Sequence, residues 1–359
     1  MRTQIADYLK DLTIGNRKEL FEVLNFIAPL VDCWSLAEPK SGKQIMRYAS
    51  ANARKSAYVE FSIPKKSGGQ RTISAPIKPL KAIQLAINIL LQSIFVPDNH
   101  ATGFVLDRSV KDNALIHVGQ TCIFNTDLEN FFPSITKIMI RKALHRELGD
   151  KLQSKEVINI ICRLCTVPNS SGIEVLPQGA PTSPVLSNIV LKSFDKDMSK
   201  LAERMGCKYS RYADDITFSH SKSIRRMSLF WQSRIYNIIA GYGLKVNEKK
   251  TKTLVRGTRQ EVTGVVVGDK INVPRSYVKH LRVLLHLWKK YGYTQAQIIF
   301  TRDFCKGKEK NLVNVIDGKI NYLEMIKGKD DSTYRKLKSR FNCLQWKEKQ
   351  KSNQMQKAI

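Results

Sequence analysis

The sequence predicts an α+β protein, and three observations carry that expectation. Residues 1–50 hold apolar clusters at helical spacing, led by Leu20, Val23, Leu24 and Ile27 and resumed at Ile45 and Met46. The middle of the chain alternates short β-like runs such as YVEFSIP, RTISAP and TCIFNTD with longer helical ones such as AIQLAINILLQSIFV. The last section, 275–359, changes composition and carries 20 Lys or Arg against 7 Asp or Glu.

In order, helices over 1–50 come first. Residues 57–77 read as a hairpin, with Ser67, Gly68 and Gly69 at its tip and Pro64 and Pro76 on its flanks. A core helix near 80–95 follows, interrupted by Gln84, Asn88 and Gln92 and too short to cross a bilayer. TCIFNTD is a strand that ends on Asp127. Pro133 and Ser134 open a helix with Ile135, Ile138, Met139 and Leu148 on its inner side. LPQGAPTSP is a Pro/Gly loop, and a helix starts past Pro184. Residues around SRYADDITFS form a buried hairpin, and a helix lies around 224–240. GLKVNEKKT and VTGVVVGDKINVP read as short strands. The tail KEKQKSNQMQK reads as a frayed polar end.

The chain has 359 residues, enough for a large core and two or three subdomains. Its 60 basic against 31 acidic residues leave a net charge of +29, which points to a polyanionic partner, nucleic acid before membrane. No signal or transit peptide is visible, so a cytoplasmic protein with reduced thiols is expected. The cysteines are odd in number and scattered. Cys162 and Cys165 form a lone CxxC pair without the second pair that zinc requires, so core packing is the favoured reading. In 275–359, Trp288, Tyr291, Tyr293, Tyr322, Tyr334 and Trp346 are interleaved with basic residues. That pattern suits a helical module tracking a phosphate backbone, with a solvated helical face as the plainer alternative.

Asp214 and Asp215 stand side by side between Tyr212 and Ile216. Burying two adjacent carboxylates is unfavourable unless a cation holds them. Asp127, at the end of another strand, is a third candidate for the same site. Three convergent carboxylates suit Mg²⁺, which prefers oxygen ligands and keeps positions open for substrate phosphates. Two such ions can clamp an in-line phosphoryl transfer. Paired acids in a surface turn are the alternative, which the Tyr and apolar flanks disfavour.

YADD at 212–215 resembles the signature of reverse transcriptases. NTDLENFFPSI resembles their first metal-binding motif, LPQGAPTSP the loop lining their nucleotide pocket, and IPKKSGGQRTI their fingers hairpin; the blocks stand in the family's order over roughly 60–270. DNALIH, carrying NAxxH, and VTG at 262–264 resemble the retron reverse transcriptases of bacteria. The resemblance implies a right-hand polymerase fold with a ferredoxin-like palm and a helical thumb. The expected divisions are N-terminal helices and fingers over 1–120, palm over 121–272 and a basic, RNA-binding thumb over 273–359.

It also implies roles for particular residues. Asp127, Asp214 and Asp215 would hold two Mg²⁺ ions, helped by the backbone carbonyl of Leu128. Lys65 and Arg71 would hold the incoming dNTP triphosphate, with Lys66 an equal candidate for the first role. Phe132 would exclude a ribose 2′-OH, its alternative being the core packing that Phe131 could also supply. Gln178 and Gly179 would floor the pocket. Lys250, or the adjacent Lys249, would protonate the leaving pyrophosphate. Asn113, His117, Val262, Thr263 and Gly264 would contact the cognate RNA, although an Asn–His pair taken alone is more often structural.

The function so implied is RNA-directed synthesis of an RNA-linked single-stranded DNA (msDNA) from a structured noncoding RNA, in antiphage defence beside an effector protein. The alternatives are another bacterial reverse transcriptase, of the intron or diversity-generating type, or a nucleic-acid-holding scaffold that restrains a toxic effector.

Overall fold

A computed structural model of the protein describes residues 2–31, 41–50, 56–65, 68–222, 229–305 and 307–357. Cys33, Lys66, Ser67 and the first residues of the helix expected around 224–240 lie outside the described residues. In chain order the elements begin with α1 (Arg2–Asp11), α2 (Arg17–Ile27), α3 (Gly42–Ala49), β1 (Tyr58–Pro64), β2 (Gln70–Pro76) and α4 (Lys78–Ile94). Next come α5 (Val110–Ile116), β3 (Cys122–Asp127), α6 (Phe131–Ser134), α7 (Lys137–Leu148), α8 (Lys155–Cys165), β4 (Val167–Pro168), β5 (Glu174–Val175) and α9 (Ser183–Arg204). The chain closes with β6 (Lys208–Tyr212), β7 (Asp215–His220), α10 (Leu229–Gly241), β8 (Lys252–Val255), β9 (Glu261–Val262), β10 (Val265–Val266), α11 (Arg275–Ile299), α12 (Leu312–Lys327) and α13 (Ser332–Lys357). Two compact units result: Met1–Ser109 with Phe124–Thr253, and Val110–Ile123 with Leu254–Ile359.

The first unit is built around α4, whose Leu80, Ile83, Ile87, Leu90 and Leu91 are fully buried. Gln84 sits in that apolar face because its amide donates to the Tyr58 hydroxyl at 2.6 Å and to the Leu164 carbonyl at 2.8 Å. On α8, Cys162 and Cys165 face the same core, and burial pushes both thiols up to about 12. They are packing residues. A four-stranded sheet runs in the order β6-β7-β3-β8. β1 and β2 form a separate antiparallel hairpin, and β1 is almost wholly exposed.

Three expectations need correction here. Ile138 is 58 % exposed, because α7 starts later than Pro133, at the N-cap Thr136, and so turns Ile140, Ala143, Leu144 and Leu148 inward instead. Pro133 lies in the separate single turn α6, and buried Ile135 links the two. GLKVNEKKT is not a strand: Val246 makes one isolated bridge to Leu128, Glu248–Lys250 form a 3₁₀ turn, and the strand is β8 beyond it. The tail is not frayed, since α13 continues to Lys357.

The second unit has its own core of Leu281, Leu284, Leu285, Trp288, Leu312, Ile316, Ile320, Leu323 and Phe341. Its aromatics are therefore mostly structural. Trp288 is buried against Tyr293 and Phe341, Tyr322 packs on Tyr277, and the Tyr334 hydroxyl donates to Glu324. Of the six interleaved aromatics, Tyr291 and Trp346 are the strongly exposed ones, at 45 % and 60 %. The apolar period of α11 and α12 needed large side chains to fill the space between helices, and aromatics fill it.

Candidate active site

β6 and β7 are joined by a two-residue turn in which Tyr212 pairs with Asp215, so Ala213 and Asp214 occupy the loop positions. Ala213 has φ 58°, a left-handed conformation that glycine adopts more easily. This strain falls in the turn that presents the acids. The Leu128 N–H donates to the Asp214 carbonyl at 3.1 Å, which brings the end of β3 against the turn. Asp127 is thereby placed beside Asp214 and Asp215. Its own carbonyl accepts from the Asn247 N–H at 2.7 Å.

The three carboxylates feel one another. Burial, and then the Asp127 charge, raise the pKa of Asp214. Burial, followed by the charges of Asp214 and Asp127, pushes Asp215 up to about 7. Lys250 offsets part of this by donating to both carboxylate oxygens of Asp127, at 2.8 and 2.9 Å. Lys249 makes no such contact. Among the described residues, no three His, Cys, Asp or Glu side chains form a closed ligand cluster. The acids are instead electrostatically coupled, with negative charge in excess of what Lys250 balances. A divalent cation with oxygen preference suits that excess, and the donors in reach are Asp127, Asp214, Asp215 and the main chain at Leu128.

The other candidates divide by position. Arg71, on β2, lies close enough for its charge to pull down on Asp214. Lys65 closes the hairpin with its backbone, its N–H donating to the Gly69 carbonyl at 3.0 Å, and its side chain is exposed. The Gln178 carbonyl accepts from the Ser74 N–H at 2.8 Å, which fastens the Pro/Gly loop onto β2. Gly179 has φ 128°, and a Cβ there would lie 2.9 Å from Ile73. Phe131 is buried, whereas Phe132 is half-buried, its ring tilted against Phe131 at 5.1 Å and Phe104 at 6.1 Å.

Asn113, His117, Val262, Thr263 and Gly264 gather in the second unit. The Asn113 amide donates to the Thr263 hydroxyl at 3.3 Å, and Thr263 and Gly264 form the left-handed turn between β9 and β10. Asn113, His117 and Val262 are fully buried, the Asn113–Thr263 bond ties α5 to the β9–β10 hairpin, and Thr263 and Gly264 are left as the more accessible part of that turn.

Sequence reasoning missed what holds the acidic turn. Arg211 is completely buried. Its guanidinium donates to Asp195 at 2.7 and 2.6 Å, to the Asn188 side chain at 3.1 Å and to the Ala213 carbonyl at 3.1 Å. The Tyr209 hydroxyl donates to Asp195 at 2.8 Å. Burial alone would lower the Arg211 pKa, but the Asp195 charge and hydrogen bonds leave it raised. The Asn188 amide donates in turn to the Gly103 carbonyl at 2.9 Å. The available signal was an arginine between a buried tyrosine and YADD, with Asp195 on the apolar side of α9.

Gly103 also presses on the turn. A Cβ there would lie 2.4 Å from the Ala213 nitrogen and 2.9 Å from the Tyr212 carbonyl carbon. Gly103→Ala must therefore displace the turn, and stability is expected to fall by about 1–3 kcal/mol, the usual cost of overpacking a tight site. A denaturant melt checks this, and a midpoint equal to that of wild type would sink it.

Residues 63–290 match the family model described as "Reverse transcriptase (RNA-dependent DNA polymerase)". The chain belongs to the reverse transcriptase family. With membership comes the right-hand polymerase fold expected from the sequence. Among curated relatives, the retron Mx162 reverse transcriptase of Myxococcus xanthus is 37% identical over 258 residues, covering 65% of this chain and 53% of its own length. The retron Ec83 reverse transcriptase of Escherichia coli is 33% identical, covering 67% of this chain and 78% of its own. The retron Ec73 reverse transcriptase, also of E. coli, is 27% identical over 89% of this chain and 96% of its own. These relatives place the chain among the retron reverse transcriptases of bacteria. The chain spans about half the length of the two Myxococcus relatives, 53% and 55%. Among the described residues, no helix of this reverse transcriptase is long and apolar enough to cross a membrane.

Proposed function

We propose that the protein is an RNA-directed DNA polymerase that builds an RNA-linked single-stranded DNA on a cognate structured RNA. The observation that carries the chemistry is the convergence of Asp127, Asp214 and Asp215 at one strained turn, with more negative charge than Lys250 balances. Bound Mg²⁺ would neutralise that charge and activate the primer hydroxyl and the departing phosphate. The chain's own residues do the rest. Arg71, with Lys65 on the same hairpin, holds triphosphate oxygens. Gly179 lets the loop backbone lie close to β2, and Phe132 stands where a bulky ring would reject a ribose 2′-OH. Lys250, which donates to Asp127, stands at the acids as the ammonium that would protonate the departing pyrophosphate.

In this reading the β1–β2 hairpin belongs to the fingers, the β6-β7-β3-β8 sheet to the palm, and the helices of the second unit to a thumb that grips RNA. The β9–β10 turn offers Thr263 and Gly264 to that RNA. In the same proposal a folded noncoding RNA is both template and primer, and the protein acts in antiphage defence beside an effector protein.

The test is a primer-free reaction. Protein co-purified with RNA from its own locus is given labelled dNTPs and Mg²⁺, and the product is run with and without ribonuclease. A labelled band that shortens on ribonuclease treatment is expected. Extension that occurs only when a separate primer is added would remove the retron-type activity and favour the intron-type reading.

A further inference from the structure

α7 and α8 of the first unit enclose a cleft of about 430 Å³ that none of the acidic or nucleotide-site residues line. Its walls are Arg141, Lys142, His145, Arg146 and Lys155, with Ile158 and Asn159. No acid lines it. The nearest carboxylate on α7, Glu147, is occupied by the Arg146 Nε at 2.6 Å and by Lys192 at 3.3 Å. Among the described residues, Arg141, Lys142 and Lys155 form no ion pair.

Helical spacing explains the grouping. Arg141 and His145 are four apart on α7, as are Lys142 and Arg146, so two rows run side by side along one face, with Arg141, Lys142 and Arg146 as their charged members. Lys155 completes the set from the first turn of α8, where the positive end of the helix dipole adds to it. Like charges so placed repel one another. The arrangement mirrors the acidic turn: among the described residues, three cations, Arg141, Lys142 and Lys155, are gathered without an ion-pair partner in a concave site, and of its lining cations only Arg146 is paired, to Glu147. Long aliphatic stems over Ile158 shape the walls while the heads stay solvated.

We infer that this cleft is a second RNA-binding surface, one that holds the phosphodiester backbone of a folded RNA away from the polymerising acids. The inference rests on the RNA-directed reading above for its choice of polyanion. Point charges and guanidinium forks without a stacking aromatic suit backbone, not bases, and RNA stems are read by shape and backbone. The cleft positions its RNA without specifying sequence.

The experiment compares the Arg141→Gln/Lys142→Gln/Lys155→Gln variant with wild type and with a control, Lys43→Gln/Lys81→Gln/Lys196→Gln, which removes equal charge from other exposed positions. Binding of a fluorescein-labelled RNA hairpin is measured by anisotropy over a salt series. Three lost phosphate contacts should reduce the log–log salt slope by about 2 and weaken binding about tenfold or more near physiological salt. The control should shift neither by as much. Extension of a short DNA primer on an unstructured RNA template, at saturating substrate, should be unchanged in both variants. Equal losses in cleft and control variants, or no loss in either, would overturn the inference. So would loss of competition by polyglutamate without loss of RNA, which would mark a protein-binding cleft. Binding is read independently of synthesis, so an inactive wild type would count against the polymerase reading and leave the cleft result standing.

Discussion

Asp215→Asn is expected to abolish nucleotide incorporation while making the metal-free protein more stable. In the native protein Asp215 is half-buried beside Asp214 and Asp127, and desolvation and repulsion together push its pKa up to about 7. Replacing one carboxylate by an amide of the same shape relieves that repulsion, and stability should rise by about 1 kcal/mol, the equivalent of roughly one pKa unit. If Asp215 is one of the acids that hold the proposed cation, the same substitution would also remove an oxygen donor from the group that balances developing charge in phosphoryl transfer. A loss of several kcal/mol at about 1.4 kcal/mol per tenfold gives a rate at least about 10³-fold lower. Two measurements check this: single-turnover dNTP incorporation, and thermal melting with and without Mg²⁺. Wild type should be stabilised by Mg²⁺ and the variant much less. A variant that melts lower than wild type in the absence of metal would contradict the account of the acids as a repelling set. A variant that still incorporates dNTP at near wild-type rate would remove Asp215 from the chemistry.

Arg211→Met is expected to destabilise the first unit by about 3–5 kcal/mol, the usual result of leaving one partner of a buried ion pair uncompensated. Asp195 would then sit fully buried with the Tyr209 hydroxyl alone, and Asn188 and the Ala213 carbonyl would lose a donor. The double variant Arg211→Met/Asp195→Leu should recover most of that loss, because no charge remains buried. It should not recover synthesis, since nothing then holds the Ala213 carbonyl and the strained turn relaxes. Denaturant melts of the four proteins of the cycle give the stability arm, and kcat for dNTP incorporation gives the other. If the double variant regained both stability and rate, Arg211 would be a packing residue only. If the single variant melted like wild type, the burial argument itself would be wrong.

The acids were readable from sequence because their chemistry is local. Two adjacent carboxylates in a β-hairpin ask for a cation wherever that hairpin lies, and Asp127 ends a strand whose apolar run Cys122, Ile123 and Phe124 shows in TCIFNTD. The core helix α4 was readable for the same reason: its apolar face repeats at 3.6 residues, and Gln84 did not disturb the pattern. Errors fell where a cap or a single turn sets the phase. Moving the start of α7 from Pro133 to Thr136 was enough to put Ile138 in solvent and Ile140 in the core.

The C-terminal section shows the limit differently. Its charge and aromatic content were plain, but composition does not say which way a ring points. Trp288, Tyr293 and Tyr322 turned inward because helices α11, α12 and α13 must fill a core of their own.

By itself, then, the sequence determined the α+β class, the strongly basic charge and the adjacency of Asp214 and Asp215 in a hairpin turn, since each depends on composition or on neighbours within a few residues; that Asp127 joins them is a tertiary contact, made by the Leu128 N–H and the Asp214 carbonyl. Only the tertiary structure decided that Arg211 and Asp195 clamp the turn and that Gly103 abuts Ala213. It also decided that Lys250, not Lys249, meets Asp127, and that α7 and α8 pool their cations in one cleft. Those contacts join residues far apart in the chain, and their energies come from burial and distance, which no local pattern encodes.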